Sequence, residues 1–166
     1  MMNQLNNWFS TFNAYADMSP DLVIRQEINQ WMENRMRANL GLSKWCRLFD
    51  SYSKNKELLT FVYQRFSQYS GLAFGRVRPH DTMHGDLKFA LVCWHDWVID
   101  FCEDFWEHFH IDLSNDFDED DFETIGGIVE YLDEQVVRHQ ERERADAIRQ
   151  LKIVQSDNES GGAIAS

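Results

Sequence analysis

From Leu22 onward the apolar positions fall at helical steps. Leu22, Ile24, Ile28, Trp31 and Met36 approximate one helical face. Ser19-Pro20-Asp21 ahead of them reads as a helix start, with a serine cap, a proline in the first turn and an early acid. Gly41 reads as the end of that helix. Leu42, Trp45, Cys46 and Phe49 predict a second, shorter helix. Leu58, Phe61, Val62, Arg65, Phe66 and Tyr69 predict a third, stopped by Gly71. Residues 75–85, bounded by Gly75 and Gly85 and containing Pro79, predict a loop.

The longest apolar stripe comes next. Phe89, Cys93, Trp97, Phe101, Cys102, Phe105 and Phe109 recur at steps of three and four, apart from the neighbouring Phe101 and Cys102, and predict one amphipathic helix. Its opposite face carries Asp96, Asp100, Glu103, Asp104 and Glu107. Thr124 then reads as the cap of a last helix, with Ile125, Ile128, Val129, Leu132 and Val136 on its apolar side. The polar segment 138–150 extends that helix, and residues 156–166, SDNESGGAIAS, read as a flexible tail. No segment predicts a strand.

Composition agrees with helices. Two prolines and eight glycines in 166 residues leave few breakers, and 43% hydrophobic residues with 14% aromatic ones can build a core. The net charge of −12 argues against nucleic acid as a partner, because phosphate repels an acidic surface. The charge is also uneven. Residues 21–65 hold eight Lys/Arg and five Asp/Glu, a net of +3, whereas residues 81–146 hold four Lys/Arg and twenty Asp/Glu, a net of −16. The acidic half calls for a basic partner. Cys46, Cys93 and Cys102 form no CxxC and lie in apolar text, so they read as free buried thiols. No basic stretch followed by an apolar run opens the chain, and no apolar run is long enough for a bilayer. The expectation is a cytoplasmic protein without membrane contact.

Part of this text resembles a known family. Asp86-Leu87-Lys88-Phe89, Phe109-His110-Ile111 and Thr124-Ile125-Gly126-Gly127-Ile128-Val129-Glu130-Tyr131-Leu132 resemble three motifs of the acyl carrier proteins. Those motifs are a loop ending in Asp-Leu-Gly-Leu-Asp-Ser-Leu, an acidic helix closing on Phe-Gly-Ile, and a last helix opening Thr-Val-Gly-Asp-Leu. The resemblance spans residues 77–135. It implies buried positions at Val98, Phe101 and Phe105, and a partner-facing acid at Asp100. Counting back from Phe109 puts His95 where the family has its phosphopantetheine-bearing serine; counting forward from Asp86 puts Leu91 there. The two counts differ by four residues, about one helical turn, which implies an insertion. No serine occurs between Ser70 and Ser114, and neither imidazole nor an aliphatic side chain can supply the missing hydroxyl. In this the chain is similar to a serine-free, carrier-like bacterial family of unknown function.

Other motifs carry chemistry on paper. Asp50-Ser51 is an Asp-Ser pair, but the polar, basic text after it is unlike a carrier helix. Asp112, Ser114, Asp116, Asp118, Asp120 and Glu123 have the ligand spacing of a calcium loop. Phe117 and Glu119 oppose it, standing where such a loop wants glycine and an aliphatic residue. His80, Asp81 and His84 could meet near a metal, as could His95 with His108 or His110, though no set is complete. Cys93 and His95 are two apart and on different helix faces, which argues against a nucleophilic pair.

These readings converge on an all-α protein: an N-terminal helical extension over residues 1–56, an acyl-carrier-like bundle over 57–137, and a charged extension with a tail over 138–166. The expected function is non-enzymatic, without a cofactor or a metal. The acidic helix docks on a basic protein through Asp96, Asp100, Glu103, Asp104 and Glu107, with Trp94 and Trp106 beside them. An acidic inhibitor or immunity-type protein that neutralises a basic effector such as a nuclease is the alternative. A carrier using an unusual attachment site such as Ser51 is a third.

Overall fold

The computed structural model describes residues 20–161, with side chains described through residue 155. The fold is all-α. Its helices are α1 (Leu22–Asn34), α2 (Leu42–Leu48), α3 (Lys56–Ser70), α4 (Phe89–Val92), α5 (Trp97–Phe109) and α6 (Ile125–Gly161). Short 3₁₀ turns lie at Phe74–Arg76 and Glu119–Asp121. Among the described residues there is no strand; Thr82 and Thr124 form an isolated antiparallel bridge. No described helix is long and apolar enough to cross a membrane.

The start and end of α1 differ from the sequence expectation. Ser19 lies outside the described residues, and the cap is Asp21, whose carboxylate accepts from the amides of Val23 and Ile24 at 2.9 and 3.0 Å. The helix ends at Arg35 and turns out through Met36, which has φ 54. Gly41, expected to end α1, instead precedes α2 as its N-cap residue with φ −66. The predicted inner face is also only partly inner. Ile28 is buried, but Leu22 is exposed and Met36 is 93% exposed, while Met32 fills the core position.

The prediction for α3 matches closely. Asn55 caps it by accepting from Glu57 and Leu58, and Gly71 closes it in the left-handed region at φ 65. Leu58, Phe61, Val62, Phe66 and Tyr69 are buried. Phe66 is the aromatic hub, with ring centroids of Phe74, Phe89, Trp97 and Phe101 between 5.4 and 6.0 Å away. Such edge-to-face contacts add to the area each ring removes from water.

The expected single helix through Phe89 and Phe109 is two. Cys93 is extended at φ −89, ψ 162, and the chain turns before α5 starts at Trp97. The apolar stripe continues across the break because α4 and α5 face the same interior; Phe89, Cys93 and Trp97 are all buried.

Residues 72–88 are pinned through Asp81, which is 1% exposed. Its carboxylate accepts from the Arg37 guanidinium and from the Arg78 amide, both at 2.7 Å. Its carbonyl accepts from the Ile125 amide at 3.1 Å, and the Pro79 carbonyl accepts from the Gly126 amide at 2.7 Å. Gly126 has no room for a side chain: a Cβ would sit 2.6 Å from the Tyr52 ring and 2.9 Å from the Pro79 carbonyl oxygen. On α1, Arg25 donates to the carbonyls of Val92 at 2.8 Å and Tyr69 at 3.2 Å, joining three helices.

The chain divides into two compact units, Met1–Asp133 and Glu134–Ser166. The second unit, taken by itself, is the charged continuation of α6. It carries surface pairs Glu134–Arg138 at 2.7 Å, His139–Glu143 at 3.4 Å and Asp146–Arg149 at 3.4 Å. The chain is helical from Ser156 to Gly161, where a tail was expected; residues 162–166 lie outside the described part.

Candidate protein-interaction surface

Helix α5 has two faces of opposite character. Trp97, Phe101 and Phe105 are buried against the Phe61 and Phe66 rings of α3. Val98, placed on a buried position by the family resemblance, is only half-buried. The outward face carries Asp96, Asp100, Glu103 and Glu107, all exposed. Trp94 at 57% exposure precedes the helix, and Trp106 at 52% lies on it. Ile99, at 59% exposure, joins them. Ile99 lies off the apolar stripe, so core periodicity does not mark it; its only signal in the sequence is a lone β-branched residue on an otherwise acidic face.

Asp104 departs from the expectation of a free partner-facing acid. The Tyr69 hydroxyl donates to its carboxylate, and Arg65 lies 3.4 Å from the same oxygen. Burial, then that hydrogen bond to a carboxylate, holds the Tyr69 hydroxyl well above its usual range. Asp104 therefore joins α5 to α3, and the open acidic ridge consists of the other four.

Two of the grooves beside α5 border the acidic ridge. One, of about 400 Å³, has walls of Val98, Ile99, Cys102, Trp106 and Phe117. The other, of about 350 Å³, lies between Gln68 and Tyr69 of α3 and Trp94, Asp100 and Glu107. Glu103 borders both.

The thiols are weak acids. Burial pushes Cys93 up to about 12. Burial, followed by the charges of Asp112 and Glu119, pushes Cys102 up to about 11. Burial also raises Cys46. At neutral pH these groups stay protonated and are poor nucleophiles.

The remaining candidates separate in space. Asp81, grouped by sequence with His80 and His84, is taken by Arg37, and His84 lies 3.3 Å from Asp120. His95 and His110 sit just beyond opposite ends of α5, about 20 Å apart for a 13-residue helix, so they cannot share a ligand. His108 lies 3.1 Å from Glu57. In the calcium-like segment the carboxylates serve local turns. Asp112 accepts from the Ser114 amide at 2.9 Å and hydroxyl at 2.5 Å, and Asp118 accepts from the Asp120 amide at 3.0 Å. Phe117 is buried, its ring stacked at 5.4 Å on Phe122. Among the described residues no three metal-binding side chains gather at one point. Ser51 is exposed in the turn after α2; Leu91 is exposed on α4, and His95 in the break before α5. In comparisons with protein-family models, with curated proteins and with solved structures, nothing matches the chain.

Proposed function

We propose that the chain is a non-enzymatic, acyl-carrier-like interaction module of the cytoplasm that docks on a basic protein through the outward face of α5. The observation that carries this reading is the combination along one helix and its N-cap of four exposed acids with exposed Ile99 and Trp106, Trp94 lying just ahead of them, while the inner face is committed to the core. Exposed tryptophan ringed by acids is the composition of an interface centre that selects a basic partner.

Three backbone features support the carrier-like part. Lys88 and His110 stand where the family pattern has glycine, in Asp-Leu-Gly-Leu and Phe-Gly-Ile. Both have left-handed backbones, with φ 49 and φ 58. A side chain rarely accepts that conformation without a fold that demands it. Gly126, matching the glycine of the last motif, fills a place where no Cβ fits. Neither residue at the serine position, His95 by one count or Leu91 by the other, has a hydroxyl to form a phosphodiester, so the reading keeps the docking and drops the cargo.

The test is the triple charge reversal Asp100→Lys, Glu103→Lys, Glu107→Lys. Circular dichroism should show unchanged helicity, because all three side chains are exposed. Association with a basic partner recovered by affinity capture should slow by about tenfold or more at low salt, with the difference shrinking as salt screens the charges. Equal association rates at low salt would leave this face as plain solvated surface.

A further inference from the structure

Two ridges run along the outside of α5. The acidic one holds Asp96, Asp100, Glu103 and Glu107, at helical steps of four, three and four. The apolar one holds Ile99 and Trp106, seven residues and thus about 10.5 Å apart along the axis. The apolar ridge forms one wall of the groove of about 400 Å³, whose far side is Phe117 from the connection after α5. Acids border this groove, with Glu103 on the helix and Asp112 opposite. Hydrogen bonds from the Ser114 hydroxyl and then its amide hold the Asp112 carboxyl below the usual carboxylate range, so that border stays negative in mildly acidic solution too.

We infer, resting on the docking role proposed above, that this groove receives the apolar face of a basic amphipathic helix from the partner. The geometry favours a helix over an extended peptide. No strand occurs among the described residues, so no sheet edge is present there to pair with an extended backbone. Apolar positions two turns apart on α5 match apolar positions two turns apart on a second helix laid beside it. Charge complementarity sets the rest. A ligand helix with Leu-like side chains in the groove and Lys or Arg on both flanks meets Glu103 on one side and Asp112 on the other. A neutral or acidic helix would bury the same apolar area and leave those carboxylates facing nothing or facing like charge.

Fluorescence titration of the full chain with three synthetic peptides of equal length tests this. The first is Leu/Lys with one apolar helical face. The second has the same composition shuffled so that no face forms. The third has the first pattern with Glu in place of Lys. The patterned Lys peptide should bind about tenfold or more tighter than the shuffled one, as expected when one or two aliphatic side chains leave water, and the Glu peptide should not bind. Ile99→Glu should cost that advantage, and Trp106→Glu gives a second measure of the same wall; both residues are exposed and outside the core. Equal binding of the two Lys peptides, unaffected by Ile99→Glu but weakened by the reversal at Asp100, Glu103 and Glu107, would overturn the groove and leave docking by charge standing. Failure of both Lys peptides to bind would overturn the groove and the docking role together.

Discussion

Two connections flank α5, and they use similar residues in opposite ways. Residues 71–96 lead into it with three acids and three histidines, and residues 110–124 lead out with seven acids and one histidine. In the first, Asp81 is drawn inside, because the distant Arg37 and the nearby Arg78 amide meet its carboxylate there and the distant Ile125 amide meets its carbonyl. In the second there is no lysine or arginine, and no carboxylate is buried; Asp112 and Asp118 cap their own turns. Leu113 and Phe117 anchor that segment instead. A carboxylate goes inside where a cation and amides wait for it; otherwise an aromatic ring holds the loop and the acids remain surface.

Asp81→Ala should break the contrast most severely. It leaves Arg37 without its partner in a half-buried position, and the loss should be about 3 to 5 kcal/mol of unfolding free energy in urea. Pairing it with Arg37→Met should recover part of that loss, since an apolar pair does not strand a charge. Gly126→Ala attacks the same pinning from the helix side. The added methyl meets the Tyr52 ring and the Pro79 carbonyl, so a loss of about 1 to 3 kcal/mol is expected in the same assay.

The left-handed residues sharpen the comparison, because each connection has one that is not glycine. Lys88→Gly and His110→Gly each remove a side chain from a positive-φ backbone and should each stabilise by about 0.5 to 1 kcal/mol, the strain relieved less the entropy glycine loses. Differential scanning calorimetry should then show a rise of about 2 to 4 °C per kcal/mol. The smallest effect belongs to the second connection: Asp112→Asn and Asp118→Asn should stay within about 0.5 kcal/mol of the parent in urea unfolding, as exposed local caps do.

What the sequence made legible was each segment that owes its form to its neighbours. Helix α3, its glycine stop, the Thr124 cap, whose hydroxyl accepts from the Gly127 amide at 3.2 Å, and the inner face of α5 all follow from periodicity and local chemistry. Two things stayed hidden for physical reasons. Periodicity reports which residues face the core and is blind to whether backbone hydrogen bonds continue, so the break at Cys93 left no mark. The fates of Asp81 and Asp104 depend on Arg37, Tyr69 and Arg65, tens of residues away. On the candidate surface the acidic ridge was legible and the groove was not, since Phe117 reaches Val98 and Cys102 only after the chain has turned back on itself.

The meeting at Asp81 bears on how the chain assembles. Its carboxylate reaches Arg37, 44 positions earlier, and its carbonyl receives the amide of Ile125, 44 positions later. A helix can close its own hydrogen bonds early, but this carboxylate has only the nearby Arg78 amide until Arg37 arrives to pair its charge. A chain missing either one keeps a carboxylate that belongs in water and a loop that cannot settle. Asp81 thus ties residues 72–88 at once to the end of the first helix and to the start of α6, and it can be buried at full advantage only when both are in place.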